Sequence, residues 1–312
     1  MLIAAGAYRG RPLRSVAVPP EPPPRLQVGL VGAGRVGSVL AAALARAGHE
    51  IVAASAISDA SRRRADRLLP GVPIRPPDEV AAAADLVLLT VPDDALAALV
   101  GGLGLAGSWR PGQLILHTAG ALGLEVLAPA AVHGALPIAL HPVMTFAGRP
   151  EDVDRLRGTP FGITSDPDLR PVAETLVMEM GGEPVWVPDH ARTLYHAALA
   201  IGSNHLVTLV NETTSLLADV GVEAPARLVT PLLTVALDNA LRLGDAALTG
   251  PVARGDVGTV GAHHAVLARE APDSLPAYVA MARRTADRAE AAGLLAPAAA
   301  DAVRARLDAG AR

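Results

Sequence analysis

Residues 26–49, LQVGLVGAGRVGSVLAAALARAGH, constrain this chain more than any other stretch. Leu26, Val28, Leu30 and Val31 read as a buried strand, Gly32-x-Gly34-x-x-Gly37 as a turn, and the alanine-rich run closed by Gly48 as a helix. Each glycine has its own reason in that setting. Gly32 permits the tight turn, Gly34 lets backbone approach a pyrophosphate, and Gly37 lets the helix pack closely on the sheet. The pattern therefore predicts a dinucleotide-binding unit contacted by Gly32, Ala33, Gly34, Arg35, Val36 and Gly37. A glycine-rich turn with no ligand is the plainer alternative.

The chain continues with alternating strand and helix signals. Strands are predicted at 50–57, 86–91, 113–117, 138–141, 160–164 and 183–187, with helices at 61–69 and 94–103 between them. Such alternation indicates a mostly parallel α/β sheet. Beyond residue 188 the segments 190–220, 223–243, 259–271, 274–292 and 296–310 are rich in alanine and leucine, with helical periodicity. The expected organisation is an arm at 1–25, a dinucleotide-binding α/β domain at 26–188 and an all-helical substrate or dimerisation domain at 189–312. The arm holds Pro22-Pro23-Pro24 and little that forms a core, so it is expected to be disordered. Asp93, Asp189 and Ser274 are expected helix caps.

Composition removes several chemistries. All 27 basic residues are arginine and there is no cysteine, which excludes a lysine Schiff base, a thiol nucleophile and any cysteine-ligated metal. The formal charge of −4 argues against general nucleic-acid binding. No apolar run of membrane-spanning length is free of charge or glycine breaks, so a cytoplasmic, soluble protein is expected. The adjacent pair His263-His264 is poor metal-site material, because neighbouring helical positions diverge by about 100°.

The end of the second strand bears on cofactor choice. An NAD site places a carboxylate there for the ribose hydroxyls, yet Ser55 and Ala56 stand in its place. Ser58 with Arg62, Arg63 and Arg64 suits a 2′-phosphate, which favours NADP over NAD. Three adjacent residues cannot all point inward, and a solvated helix face is the alternative. Val91-Pro92 and Thr118 close the third and fourth strands on the ligand side and are expected to border the cofactor.

For chemistry the sequence offers His141 at a strand end and His196 and Asn204 on the first helix after residue 188, with Ser203 and His205 beside them. A histidine there would polarise or protonate an acceptor, and Asn204 would orient substrate or water. Arg254, in Gly250-Pro-Val-Ala-Arg-Gly-Asp256, would bind a substrate carboxylate or else pair with Asp256 to shape the turn. Structural hydrogen bonding is the alternative for each of these groups.

Six segments carry a family resemblance: GLVGAGRVG at 29–37, TVPDD at 90–94, HTAG at 117–120, LHPVMTFAG at 140–148, SNHLVTL at 203–209 and GPVARGD at 250–256. Through them the chain resembles Rossmann-like proteins with a helical domain of unknown function, DUF2520, within the 6-phosphogluconate-dehydrogenase-like superfamily. That superfamily includes ketopantoate, pyrroline-5-carboxylate and imine reductases. The resemblance implies a nicotinamide cofactor at the sheet edge, substrate in an interdomain cleft and a homodimer formed by the helical domains. The catalytic lysine of the ketopantoate reductase and hydroxyacid dehydrogenase patterns, four residues before a helical asparagine, falls on Ala200 when that asparagine is aligned with Asn204. Their proton transfer does not carry over: His196, His141 or bound water replaces the lysine, or activity is lost. The expected activity is NADP-dependent reduction of a small carboxylate-bearing carbonyl or imine, ketopantoate-like; the alternative is a dinucleotide-binding sensor or scaffold without turnover.

Overall fold

In the computed structural model, residues 25–309 are described. The expected arm lies outside them, apart from Arg25. Two compact units divide after Leu199.

The first unit alternates strand and helix. Strands β1 (Gln27–Val31), β2 (Glu50–Ser55), β3 (Leu86–Leu89), β4 (Leu114–His117), β5 (Leu136–Pro142), β6 (Pro160–Ser165) and β7 (Glu183–Trp186) form one sheet in the order β2-β1-β3-β4-β5-β6-β7. The first five run parallel; β6 is antiparallel to β5, and β7 is parallel to β6. The helices among them are α1 (Arg35–Ala47), α2 (Asp59–Leu68), α3 (Pro77–Ala83), α4 (Asp93–Leu105), α5 (Ala128–Ala131), α6 (Pro150–Arg155), α7 (Arg170–Glu179) and the opening of α8 (Arg192–Ala200).

Strand alternation explains why both faces are covered. Leu86, Leu88, Leu114 and Leu116 join one buried cluster with α1, while Val87, Leu89 and Ile115 join another with α3 and α4. Gly29 sets the approach of α3: a Cβ there would stand 2.8 Å from the Val80 carbonyl oxygen. The order reverses at β1, and the carboxyl ends of β1 to β5 share the edge at which such sheets bind ligands.

The second unit is helical: α9 (Leu206–Asp219), α10 (Pro225–Leu243), α11 (Gly250–Ala253), α12 (Val257–Glu270), α13 (Leu275–Ala291) and α14 (Pro297–Asp308). Its core, formed by α11 to α14, contains Val252, Val260, Ala286, Val303 and Leu307. By contrast α9 buries no residue and α10 only Val229. A π-helical turn, Ile201–His205, precedes α9. No helix among the described residues is long and apolar enough to cross a membrane.

Composition puts the change of architecture at 188–190, and the strands do end there, but the compact units divide ten residues later. The reason is polar anchoring to the sheet. Asp189 accepts the Leu124 N–H at 2.8 Å, and Arg192 donates to Thr164 Oγ1 and the Ala119 carbonyl. Three caps also differ from expectation. Pro92 rather than Asp93 stands at the N-cap of α4, Asp189 is engaged by Leu124, and the Ser274 hydroxyl bonds to Glu212 instead of capping α13.

Candidate functional site

The glycine turn is fastened from two neighbouring strands. The Gly32 N–H donates to Ser55 Oγ at 3.0 Å, and the Ala33 N–H to the Ser55 carbonyl at 2.8 Å. On the other side Thr90 Oγ1 donates to the Gly32 carbonyl at 2.6 Å. Gly32 has φ +95°, the left-handed region that favours glycine. A Cβ at Gly37 would overlap Thr90 Oγ1 and stand 2.8 Å from the Gly32 carbonyl oxygen, so that glycine is required by the chain itself.

Gly34 is different. A Cβ there would meet nothing nearer than 3.6 Å, an ordinary contact, and its φ is −73°. Nothing within the protein demands glycine at this position. Gly34 is the N-cap of α1 and supplies no side-chain bond, and the first turn carries no acidic residue. The N–H groups of Arg35, Val36 and Gly37 have no intrahelical carbonyl to meet, which makes this end receptive to an anion.

Three guanidiniums gather beside the turn. Arg64 donates to the Ala33 carbonyl at 3.1 Å, and Arg67 to the Gly148 carbonyl at 2.8 Å. Gly148 fits beneath them: a Cβ there would stand 2.6 Å from Arg64 Nε and 3.0 Å from Arg35 Cγ. Burial first, then the charges of Arg35 and Arg67, hold the Arg64 guanidinium below the usual arginine range. Among the described residues no ion pair includes Arg35, Arg64 or Arg67.

Of the arginine triple, Arg62 and Arg63 are exposed and Arg64 turns toward the glycine loop. Ser58 caps α2, its Oγ accepting the Ser61 N–H at 3.2 Å, and this fixes the helix phase. Ile57, just before it, stands 95% exposed at the end of β2. Val91 and Thr118 are half-buried and Pro92 exposed, at the ends of β3 and β4.

The carboxyl ends of β4 and β5 carry a second cluster. His117 is wholly buried; the Ala119 N–H donates to its Nδ1 at 3.2 Å, so the proton sits on Nε2 and goes to the Gly123 carbonyl at 3.1 Å. Burial pushes its pKa down to about 4. His141 lies between two aromatic side chains from α8. Its Nδ1 is 3.0 Å from the Tyr195 hydroxyl, and its ring meets His196 edge-on at 5.7 Å. Burial, followed by the charges of His196 and Arg192, pushes His141 down to about 4. Gly120 makes room for the pair, since a Cβ there would overlap the His196 ring and stand 3.0 Å from His141 Nε2.

The structure thus brings His141 and His196 together. Asn204 and Arg254 belong to the second unit, the first within the π-helical turn and both exposed. Arg254 makes no ion pair with Asp256, whose carboxylate caps α12 through Thr259 instead. His263 meets the Tyr278 hydroxyl at 3.0 Å, and no group of three metal-ligating side chains occurs among the described residues. The sequence assigns no site role to Ser55, Thr90, Arg67, Arg192 or Tyr195. The spacing of Arg64 and Arg67, one helical turn apart, was the available signal for that pair.

Comparison with known proteins agrees with this architecture. Residues 17–142 match the Rossmann-like domain family and residues 159–285 the domain of unknown function DUF2520. No curated protein sequence matches. Among solved structures the chain is similar to a candidate NADP oxidoreductase from Bacteroides fragilis, at 22% identity and TM-score 0.69, covering 84% of this chain and 98% of that one. It is also similar to an imine reductase from a Pseudomonas species, at 18% identity and TM-score 0.56, covering 91% and 93%. A pyrroline carboxylate reductase from Plasmodium falciparum, solved with NADP bound, matches at 13% identity and TM-score 0.54, covering 90% and 98%. At these identities the likeness concerns the fold. The two matches describe a Rossmann-like domain followed by a DUF2520 domain.

Proposed function

We propose that the protein is an NADP-dependent oxidoreductase that reduces a small carboxylate-bearing carbonyl or imine compound. The observation that carries this reading is the arginine cluster, Arg35, Arg64 and Arg67, without a carboxylate among the described ion pairs and set against a glycine turn whose Gly34 no protein contact requires. Like charges held together need an anion, and arginine recognises phosphate through paired N–H groups. The residues present fit a dinucleotide: the N–H groups of residues 35–37 for the pyrophosphate, the arginines for the 2′-phosphate, and exposed Ile57 as an apolar flank for the adenine. The likeness of the fold to NADP oxidoreductases supports the reading.

A bound nicotinamide would supply hydride. His141 and His196, joined across Gly120, are the groups proposed to meet the acceptor. The roles given to Arg254, holding a substrate carboxylate, and Asn204, orienting substrate, rest on residue type. A homodimer through the second unit is part of the proposal. Leu228, Leu232, Val235, Leu237 and Leu241 of α10 are all at least half exposed, and α9 is similarly uncovered. Leu228, Leu232 and Val235 share one face of α10, and an apolar stripe of this kind marks an interface.

Titration of the protein and of Arg64→Gln with NADPH and NADH, followed by fluorescence, tests the reading. Loss of one charge-assisted contact of about 1.5–3 kcal/mol weakens NADPH roughly 10- to 150-fold and leaves NADH nearly unchanged. Binding of neither dinucleotide by the unaltered protein removes the oxidoreductase reading. Binding without turnover on a panel of keto acids and cyclic imino acids favours a sensor.

A further inference from the structure

Tyr195 stands out among the groups not yet given a task. It projects from α8 with its hydroxyl 3.0 Å from His141 Nδ1 and its ring edge-on to the imidazole at 5.7 Å. Gly162 of β6 makes the space, because a Cβ at that glycine would overlap the phenolic oxygen. One turn earlier Arg192 is wholly buried, donating to Thr164 Oγ1 at 3.0 Å and to the Ala119 carbonyl at 2.9 Å, while its Nε has no partner. Both acceptors are neutral. A buried cation whose hydrogen bonds all go to neutral groups, with Asp189 acting on it only through space, is unusual, since burying charge without a hydrogen-bonded counter-ion is expensive. It favours the appearance of negative charge nearby.

The charged and titratable groups around the phenol are His141 from β5, His196 and Arg192 from α8, Asp189 just before α8, and His117 at the end of β4. Burial raises the phenol's pKa and Arg192 pulls it back, so Tyr195 holds its proton at neutral pH beside a cation able to steady the phenolate. His141 is neutral there and carries one transferable proton.

We propose that Tyr195 is the proton donor of the reduction and takes the place of the lysine this chain lacks. The inference rests on the reductase reading above. As hydride reaches the carbon of the C=O or C=N group, its π electrons move to oxygen or nitrogen, which takes the proton from the Tyr195 hydroxyl. The phenolate recovers a proton from His141 Nδ1, and Nε2 takes one from water, so the imidazole ends neutral in the other tautomer. A second proton exchange with solvent restores the starting tautomer. Arg192 acts through Tyr195 and is a positioning residue.

The test uses the full chain with ring-labelled tyrosine and three variants, Tyr195→Phe, His141→Gln and Arg192→Gln. Circular dichroism and NADPH fluorescence titration verify folding and cofactor binding, each expected within about threefold of the unaltered protein. On the best substrate of a keto-acid and imino-acid panel, Tyr195→Phe lowers kcat by about 100-fold or more with little change in KM, as expected for loss of a general acid. The solvent deuterium effect on kcat falls toward unity in the same variant. Independently of turnover, the Tyr195 ζ-carbon resonance titrates at higher pH in Arg192→Gln than in the unaltered protein. A kcat for Tyr195→Phe within threefold of the unaltered protein, or an unmoved titration in Arg192→Gln, overturns the inference and leaves the reductase standing. An unaltered protein that binds no dinucleotide or reduces nothing overturns both. If Arg192→Gln does not fold, Tyr195→Phe alone decides.

Discussion

His117 makes the stability of the first unit depend on pH in a way that can be calculated. Both ring nitrogens are committed, Nδ1 to the Ala119 N–H and Nε2–H to the Gly123 carbonyl, and no part of the residue reaches solvent. A second proton would have to go on Nδ1, against the Ala119 donor. The folded pKa is therefore down near 4, below the 6.5 of an unfolded chain. Because the folded value is the lower one, the unfolded state binds the extra proton first. Stability is complete above pH 6.5 and declines as pH falls toward 4, by about 1.4 kcal/mol per pH unit across the window. At pH 5 the loss amounts to about 2 kcal/mol. Both tryptophans, Trp109 and Trp186, lie in the first unit, so urea unfolding followed by their fluorescence reads that unit alone. His117→Asn keeps an acceptor for Ala119 and removes the titration. The unaltered protein should lose about 2 kcal/mol more than this variant between pH 7 and pH 5. Equal losses would refute the account of a neutral, doubly bonded imidazole.

Two further outcomes follow from packing. Gly37→Ala gains about 1 kcal/mol of helix propensity, but its Cβ meets a backbone carbonyl that no rotamer change relieves, at an overpacking cost of up to about 3 kcal/mol. The variant should be less stable by about 2 kcal/mol in urea and bind NADPH at least tenfold more weakly. Leu228→Glu with Leu232→Glu places charge on one uncovered face of α10, and light scattering should report a fall from twice the chain mass to the chain mass. A single-chain mass for the unaltered protein would remove the dimer.

The strand–turn–helix at 26–49 and the later strands were legible because apolar runs bounded by glycine and proline leave few alternatives. The helical half was legible from period and alanine content, and its first helix begins within two residues of the expected position. What failed to read was helix phase. Arg62, Arg63 and Arg64 are equal as letters, and only the cap at Ser58 decides that Arg64 and Arg67 face the turn. Tyr195 and Arg192 are illegible in the sequence for a related reason. On an alanine-rich helix a tyrosine reads as packing and an arginine as solvated, whereas here glycines at 120 and 162 in distant strands admit the rings of α8 to the sheet. The π-helical turn around Asn204 has no periodic signature, so the direction Asn204 takes relative to His196 does not follow from regular helical spacing. The unit boundary moved for polar reasons, invisible to hydropathy.

The burial of α1 has a kinetic corollary. Eight consecutive residues, Gly37 to Leu44, are buried, so no face of the helix can peel away while the sheet stays intact. Its later amide hydrogens should exchange with solvent deuterium only when the whole first unit opens, rather than through local fraying. An anion captured at the helix's amino end then has no small motion to suppress and acts on global opening directly. At a ligand concentration 100-fold above Kd that is about 2.7 kcal/mol, or a roughly hundredfold slowing of exchange in amides that never touch the ligand.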